Sequence, residues 1–538
     1  MAIKLSTWLL YAGLVAACTS PVWGVAYFVN QDGPAHVHSA YLIAEILRGN
    51  PSISDIYVLN EICIPNVSVH LILALLLQVF SAFTATKIVV CFLFAGVVAA
   101  IGWLRLVTVG VDGLKTSLLI GAVVGFNWLW LVGNYNFMLS VIVLAFTLGA
   151  YWKWRGRLGL LNSSALVILL AAAYFSHIIG FAILAGSIVV LALNLPRELR
   201  YRALAWTLGC LLPFAPLAIW YRSISDDGSP AMPVWRSLVD PYSLSSWLTQ
   251  IRSADAFLLI SHSALPFVTE RELWFVLFTP LLWIIVAFAI LSFVTMRRIP
   301  APRYFSSSYF PFAFLLLASV VLATFAPDDF GLTRGGIIRE RIVICAPIFI
   351  IPIFRTAGSR ALKRMAQAIL VFVIAFQTAA VWDYSIRGDR SAKEFVAAGP
   401  AMSDLRSIAT VTVYTEHPRF HATPEVQLNL FNSIGTNLVA CDNYEFGHFL
   451  FPVRTKNNAD KDFTLRLNIS SVFYADEPDS IFTEKLVGLD SALANDGGRI
   501  DALLVWGGRA DVDAVVTRHF EHEPFYQSEN LRLFRRRK

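Results

Sequence analysis

A chain of 538 residues that is 57% hydrophobic, 13% aromatic and only 15% charged, with a formal net charge of +6, carries too few charges for an ordinary water-facing surface, where about 25% is usual. A soluble globular protein is excluded and a polytopic membrane protein is expected. The positive charge sits mostly on short loops between apolar runs, where it reports orientation in a bilayer and leaves no footprint for nucleic acid.

Of the 37 acidic residues, 22 lie after Val381 and 15 before it. The chain therefore divides into an apolar transmembrane body, residues 1–382, and a C-terminal soluble α/β domain, residues 383–538. A spanning helix needs about 20 apolar residues. Candidate runs are 8–29, 64–84, 88–108, 116–132, 135–151, 164–176, 178–194, 203–221, 272–296, 309–326, 337–354 and 365–382. They predict an α-helical polytopic protein of about 11–13 spans.

The first run contains Val15-Ala16-Ala17-Cys18, which resembles a lipoprotein cleavage box, but apolar residues continue to Val29 and predict an uncleaved first helix. After it comes Asn30-Gln31-Asp32-Gly33-Pro34-Ala35-His36-Val37-His38. Pro34 fits the first turn of a helix with Asp32 or Gly33 just before it, and apolar residues up to Leu47 would lay that helix on the membrane surface. A cap is the plain reading of Asp32. Two nearby histidines keep a chemical role open beside it; spaced two apart on a helix they point to different faces, so His36 is the one expected beside Asp32.

Further along, Arg105 and Lys115 belong on the cytoplasmic side with Lys4, Lys153/Arg155/Arg157, Arg197/Arg200/Arg202, Arg297/Arg298/Arg303 and Arg355/Arg360/Lys363/Arg364. Two crossings between 64 and 108 would reverse that, so one of those runs is expected to lie in the interface. Segments 30–63, 222–271 and 327–336 and the C-terminal domain then face outward. Runs 164–176 and 178–194 are separated only by His177, an ionisable group inside an apolar hairpin and so a functional candidate. The late outer loop Asp328-Asp329-Phe330-Gly331-Leu332-Thr333-Arg334-Gly335-Gly336-Ile337-Ile338-Arg339-Glu340-Arg341 brings three arginines, whose planar forks suit phosphate oxygens, with Arg339 ranked before Arg334. Beyond Trp382, strands are predicted at Thr410–Tyr414, Ala502–Trp506 and Asn530–Phe534 and helices at 391–406 and 509–519. Cys18, Cys91, Cys210 and Cys345 read as small core residues, while a Cys63–Cys441 disulfide stays open. His417, His421, His448 and Cys441 match no standard zinc spacing.

A first helix, an outer loop opening on an acidic residue and a short helix, many spans and a C-terminal outer domain resemble the layout of the GT-C glycosyltransferases. The resemblance implies transfer of a sugar from a polyprenyl-phosphate carrier to a glycan, lipid or protein acceptor on the outer face of the membrane, in a bacterial inner membrane. Asp32 would be the catalytic base, with His36 orienting it or holding the acceptor. His38, His177, Arg334, Arg339 and Arg341 would bind substrate. Where many members place a second acidic residue, this chain reads Gly133-Asn134-Tyr135-Asn136, and Asn134 and Asn136 would contact substrate there. Asp32-Gly33 also replaces the common acidic pair, which weakens metal-dependent chemistry; no metal ligands are assigned, and a divalent cation stays open as a cofactor. The competing readings are a polytopic transporter, favoured by the broken helices, and a non-catalytic GT-C-like scaffold that binds lipid-linked sugars.

Overall fold

The computed structural model describes residues 3–60, 64–224, 309–325, 337–353, 360–414, 423–436, 440–441, 452–455, 469–474 and 477–537. Within these the protein is mostly helical, with a small sheet in the C-terminal region. Run 272–296, segment 222–271 beyond Ile224, Arg334, His417, His421, His448 and the Cys63 half of the open disulfide lie outside the described residues.

In chain order the elements are α1 (Leu5–Trp23), α2 (Gly33–Leu47), α3 (Pro51–Ser54), β1 (Tyr57–Leu59), α4 (Ser68–Leu76), α5 (Ala82–Thr108), α6 (Leu114–Gly125), α7 (Trp128–Val132), α8 (Tyr135–Trp154), α9 (Leu160–Ser176), α10 (Ile178–Leu193), α11 (Arg197–Leu211) and α12 (Phe214–Ile224). After the undescribed stretch come α13 (Phe310–Phe325), α14 (Ile338–Ile353) and α15 (Arg360–Ala398). The C-terminal region adds β2 (Ser407–Tyr414), α16 (Asn429–Asn432), β3 (Ala440–Cys441), β4 (Val453–Thr455), β5 (Ser471–Tyr474), α17 (Asp479–Asp496), β6 (Ala502–Trp506), α18 (Ala510–His519), β7 (Tyr526–Gln527) and β8 (Leu531–Arg535).

Among the described residues four helices are long and apolar enough to cross a membrane: α1, α5, α8 and the Lys363–Met402 stretch that begins in α15; the bent pair α11/α12 makes a fifth if it forms one span. Further apolar helices, α6, α9, α10 and most of α13, are shorter. Leu5, Leu9, Leu160, Leu161, Ile168, Leu317 and Phe372 stand exposed on their outsides, as an apolar solvent would require.

One expectation is narrowed and two change. Of the two runs between 64 and 108, only one of which was expected to cross, 64–84 holds the short helix: α4 has 9 residues, about 13 Å at 1.5 Å per residue, whereas the 27 residues of α5 cover a bilayer's depth. The conflict over Arg105 and Lys115 disappears with it. Arg105 is not a loop cation either. It is fully buried, donating from Nε to the Asp112 carbonyl (2.7 Å) and from Nη1 to the Ile351 carbonyl (2.8 Å), which ties α5 to the last turn of α14. The first helix stops at Trp23 although Val25–Val29 is apolar, because this stretch satisfies its backbone elsewhere: Lys87 Nζ donates to the Val25 carbonyl at 2.6 Å and the Tyr27 N–H donates to Asp389 Oδ1 at 2.7 Å.

Composition shifts at Trp382, yet α15 runs through that position without a break for 39 residues. The helix expected at 391–406 is the end of this rod; it gives way to a 3-10 turn at Gly399–Met402, where Pro400 lacks the N–H that another α turn needs. The predicted strands and the 509–519 helix appear as β2, β6, β8 and α18. β2 is the central strand, parallel to β6 on one side and to β3 and β5 on the other, while β8 is antiparallel to β6 and β7 to β8. Alternation along β6 divides the two faces. Leu503 and Val505 join Phe473, Phe482, Leu489, Val512 and Val516 under α17 and α18, whereas Ala502, Leu504 and Trp506 face the body, Trp506 stacking on Phe395 of α15. A separate ladder, β1 with β4, joins the first loop to the C-terminal region through Tyr57↔Thr455 and Val58↔Arg454.

Candidate functional site

The site is built where α1, α2, α4, α8, α10 and α14 present one set of ends. Asn30 closes the short helix α7: its Nδ2 donates to the Trp130 (3.2 Å) and Leu131 (2.7 Å) carbonyls, and its Oδ1 accepts from the Tyr135 hydroxyl at 2.5 Å. One residue pair further, the Asp32 N–H donates to the Val132 carbonyl at 2.8 Å. Gly133 completes the turn at φ +103°, with an added Cβ only 2.9 Å from the Gly33 nitrogen. A glycine is needed there for both reasons, and it lets the α7–α8 turn lie directly on the start of α2.

Pro34 sits in the first turn of α2 and Asp32 occupies the N-cap position, but its side chain makes no cap hydrogen bond. Oδ2 instead approaches Asn134 Nδ2 at 3.5 Å, and Oδ1 is buried with no hydrogen-bond partner among the described residues. Burial pushes the Asp32 carboxyl up to about 7, opposed by a Gln31 side-chain hydrogen bond and the Arg341 guanidinium. Asn134 connects the two charges: its Oδ1 accepts from Arg341 Nη2 at 2.9 Å. Arg341 Nε is buried and has no hydrogen-bond partner among the described residues. Phe137, one turn into α8, carries Arg341 5.8 Å from its ring centroid and His177 5.4 Å away edge-on.

A second group lies alongside. His36 Nδ1 is 2.9 Å from His70 Nε2, His70 Nδ1 is 2.9 Å from the Asn66 carbonyl, and Tyr135 stacks on His36 with centroids 5.2 Å apart. Asn136 braces this loop, accepting from the Val69 N–H at 2.9 Å and donating to the Asn66 carbonyl at 2.8 Å. His36 and Asp32 both keep partial exposure as whole residues, while Asp32 Oδ1 itself is buried.

The expected residues separate accordingly. Asp32, His36, Asn134, Asn136 and Arg341 come together. His177 is adjacent, held extended between α9 and α10, where its Nδ1 accepts the Ile179 N–H at 3.2 Å and caps α10. His38 points the other way, fully buried, with Nδ1 2.6 Å from Ser433 Oγ; it fastens the C-terminal segment to α2. Most residues of α2 are buried against the rest of the protein. Arg339 lies in the first turn of α14, with its side chain outside the description, and Arg341 is the arginine that meets Asn134. Sequence reading missed Asn30, Tyr135, His70 and Tyr384, a buried hydroxyl close enough to feel the charge of Asp32. The rule that singled out His177, an ionisable group in an apolar run, applies equally to His70.

No group of three or more His, Cys, Asp or Glu among the described residues could hold a metal ion. One carboxylate beside amides and a guanidinium is also a poor donor set for a hard cation, which wants several carboxylate oxygens. The chain matches no protein-family model and no curated protein.

Proposed function

We propose that the protein is an integral-membrane glycosyltransferase of GT-C type, moving a sugar from a polyprenyl-phosphate carrier to a hydroxyl of a glycan, lipid or protein acceptor. The observation that carries this reading is the Asp32–Asn134–Arg341 relay: a carboxylate released from capping, 3.5 Å from an amide that holds a buried arginine at 2.9 Å. Asp32, poised near neutrality by burial, takes the proton of the acceptor hydroxyl as it attacks the anomeric carbon. Arg341, with unused donor capacity at Nε, stabilises the charge that gathers on the departing phosphate. Of the three arginines expected to bind substrate, Arg341 is the one whose contact with Asn134 supports the phosphate role.

Orientation is part of the proposal. From Asn134 the 20 residues of α8 lead away to Lys153, Arg155 and Arg157, and from His177 the 16 residues of α10 lead away to Arg197, Arg200 and Arg202. The basic loops therefore lie at the end of the bundle opposite the cluster, which supports a cytoplasmic basic face and an outward-facing cluster covered by the C-terminal region. The test is transfer from a radiolabelled polyprenyl-phosphate sugar by the full chain in liposomes. Asp32→Asn is expected to lower turnover at least ~10³-fold with expression and insertion retained; near wild-type turnover in that variant overturns the reading.

A further inference from the structure

The C-terminal region reaches the base through one side chain. Asn30 is pinned to α7 by its bonds to the Trp130 and Leu131 carbonyls, and Asp32 by its N–H on the Val132 carbonyl at 2.8 Å. Gln31 therefore stands on a fixed stem, and its side chain meets the C-terminal segment, where Oε1 accepts the Thr423 N–H at 3.1 Å. The donor is fixed as well. Two residues beyond Thr423, Glu425 accepts from Ser391 Oγ of α15 and from the Tyr414 hydroxyl of β2, both at 2.7 Å. Further on, Phe431 stacks on Phe83 of α5 with centroids 4.2 Å apart, and Ser433 Oγ lies 2.6 Å from His38 Nδ1 of α2. Segment 423–433 is thus strapped to α2, α5 and α15.

The Gln31 amide has two unlike ends. A backbone N–H only donates, so Thr423 takes the oxygen; the nitrogen, also a pure donor, is the end left for the Asp32 carboxyl. The hydrogen bond of Gln31 to that carboxyl favours its charged form and outweighs the Arg341 guanidinium in doing so. Asn134 Nδ2, 3.5 Å from Asp32 Oδ2, is too far for a strong bond. Around Asp32, α8 and α15 bring the hydroxyls of Tyr135 and Tyr384, which feel its charge, with Glu425 of the strap acting on Tyr384. The rings of His36, His70 and His177 come from α2, α4 and the α9–α10 break, and α14 brings Arg341 with Glu340 beside it. All of these stay in place when Gln31 is replaced, so a change in the titration of Asp32 reads the Gln31 amide. A plain structural role, satisfying the Thr423 N–H, predicts lost stability on replacement and no effect on Asp32.

We propose that Gln31 is a positioning residue, through which Thr423 of the C-terminal segment holds the Asp32 carboxylate ready for the acceptor hydroxyl. This rests on the glycosyl-transfer reading and adds a requirement to it: full transfer activity needs the strap seated on α2.

Three changes to the full chain in nanodiscs test this. Gln31→Glu keeps an oxygen for Thr423 but loses the donor to Asp32, Gln31→Met loses both, and an ester in place of the Thr423 amide removes only its N–H. With ¹³C-aspartate labelling and Asp32→Asn as the reference, infrared difference spectra follow the Asp32 carboxyl without any substrate. Its titration should move to higher pH by about one unit in Gln31→Met and by more in Gln31→Glu, which adds a like charge. An unmoved titration in Gln31→Glu overturns the proposal whatever the enzyme does. The ester should shift the titration in the same direction; a shift in Gln31→Met without one in the ester removes the C-terminal segment from the device and overturns it too. In the transfer assay, Gln31→Met should lower kcat/KM about fivefold at pH 7 and approach the wild type above about pH 9. A lower Tm with the wild-type pH profile would leave Gln31 its structural role alone. If the titration moves as expected while the wild type transfers no sugar, the link from Thr423 to Asp32 is upheld and the transferase reading fails.

Discussion

Asp389, in the last third of α15, accepts a hydrogen bond from the backbone N–H of Tyr27, 362 residues earlier, at 2.7 Å. The same carboxylate pairs with Lys393 at 2.6 Å. Together with Lys87 on the Val25 carbonyl, this contact sets the height at which the chain enters α2 and hence where Asp32 stands. Asp389→Ala leaves the Tyr27 N–H without its charged partner, a loss of about 1.5–3 kcal/mol. The expected outcome is a lower Tm in detergent and turnover reduced roughly tenfold. An unchanged Tm would mean that the entry segment is held by other contacts.

Gly133 tests the α7–α8 turn. Gly133→Ala meets both the +103° φ and a Cβ 2.9 Å from the Gly33 nitrogen, and is expected to cost about 1–3 kcal/mol and most of the activity. Gly159→Ala, where a Cβ meets nothing within 4 Å and φ is extended, is the matched control and should leave both Tm and turnover unchanged.

The carboxyl of Asp32 is raised to about 7 from an ordinary value near 3.8, so the folded protein favours its neutral form. Its contribution to stability is fully present below about pH 4 and is lost as pH rises through about 7. Asp32→Asn, permanently neutral, should match the wild-type Tm at pH 4.5 and exceed it by roughly 2 °C at pH 8. Equal differences at both pH values would contradict burial as the cause. Catalysis runs the other way: wild-type kcat/KM should rise with pH and level off above about 7, as the base form fills.

Arg341 separates charge from geometry. Arg341→Lys keeps a cation but loses the fork that reaches both Asn134 and a ligand. KM for the lipid-linked donor is expected to rise about tenfold with lysine and about 100-fold with alanine. Equal KM values for lysine and wild type would show that charge alone suffices.

Much of this arrangement was legible in the sequence where the signal is local. Pro34 fixed the start of α2, the lone His177 marked the α9–α10 break, and β-branched and apolar runs gave β6 at Ala502–Trp506. Apolarity does not measure uninterrupted helix length, so it does not choose between 64–84 and 88–108 as the crossing. What failed depended on partners distant along the chain. Val25–Val29 would continue α1 were Lys87 and Asp389 not there to take its backbone groups. Arg105 looked like a loop cation because nothing nearby announces the Ile351 carbonyl 246 positions away. His70 was hidden because its meaning lies in His36, 34 residues before it.

The unbroken course of α15 through Trp382 has a mechanical meaning. Its 39 residues form a rod of about 58 Å, with Gln367 hydrogen-bonded to Thr116 of α6 near one end and Phe395 stacked on Trp506 of the sheet near the other. A tilt of about 5° at one end would swing the other by about 5 Å over that length, so loop movements beside α6 would be levered into the sheet and, through Asp389, into the floor beneath Asp32. Grafting a foreign C-terminal portion at the change in composition would sever this lever midway, whereas a junction ahead of Arg360 would carry it over whole.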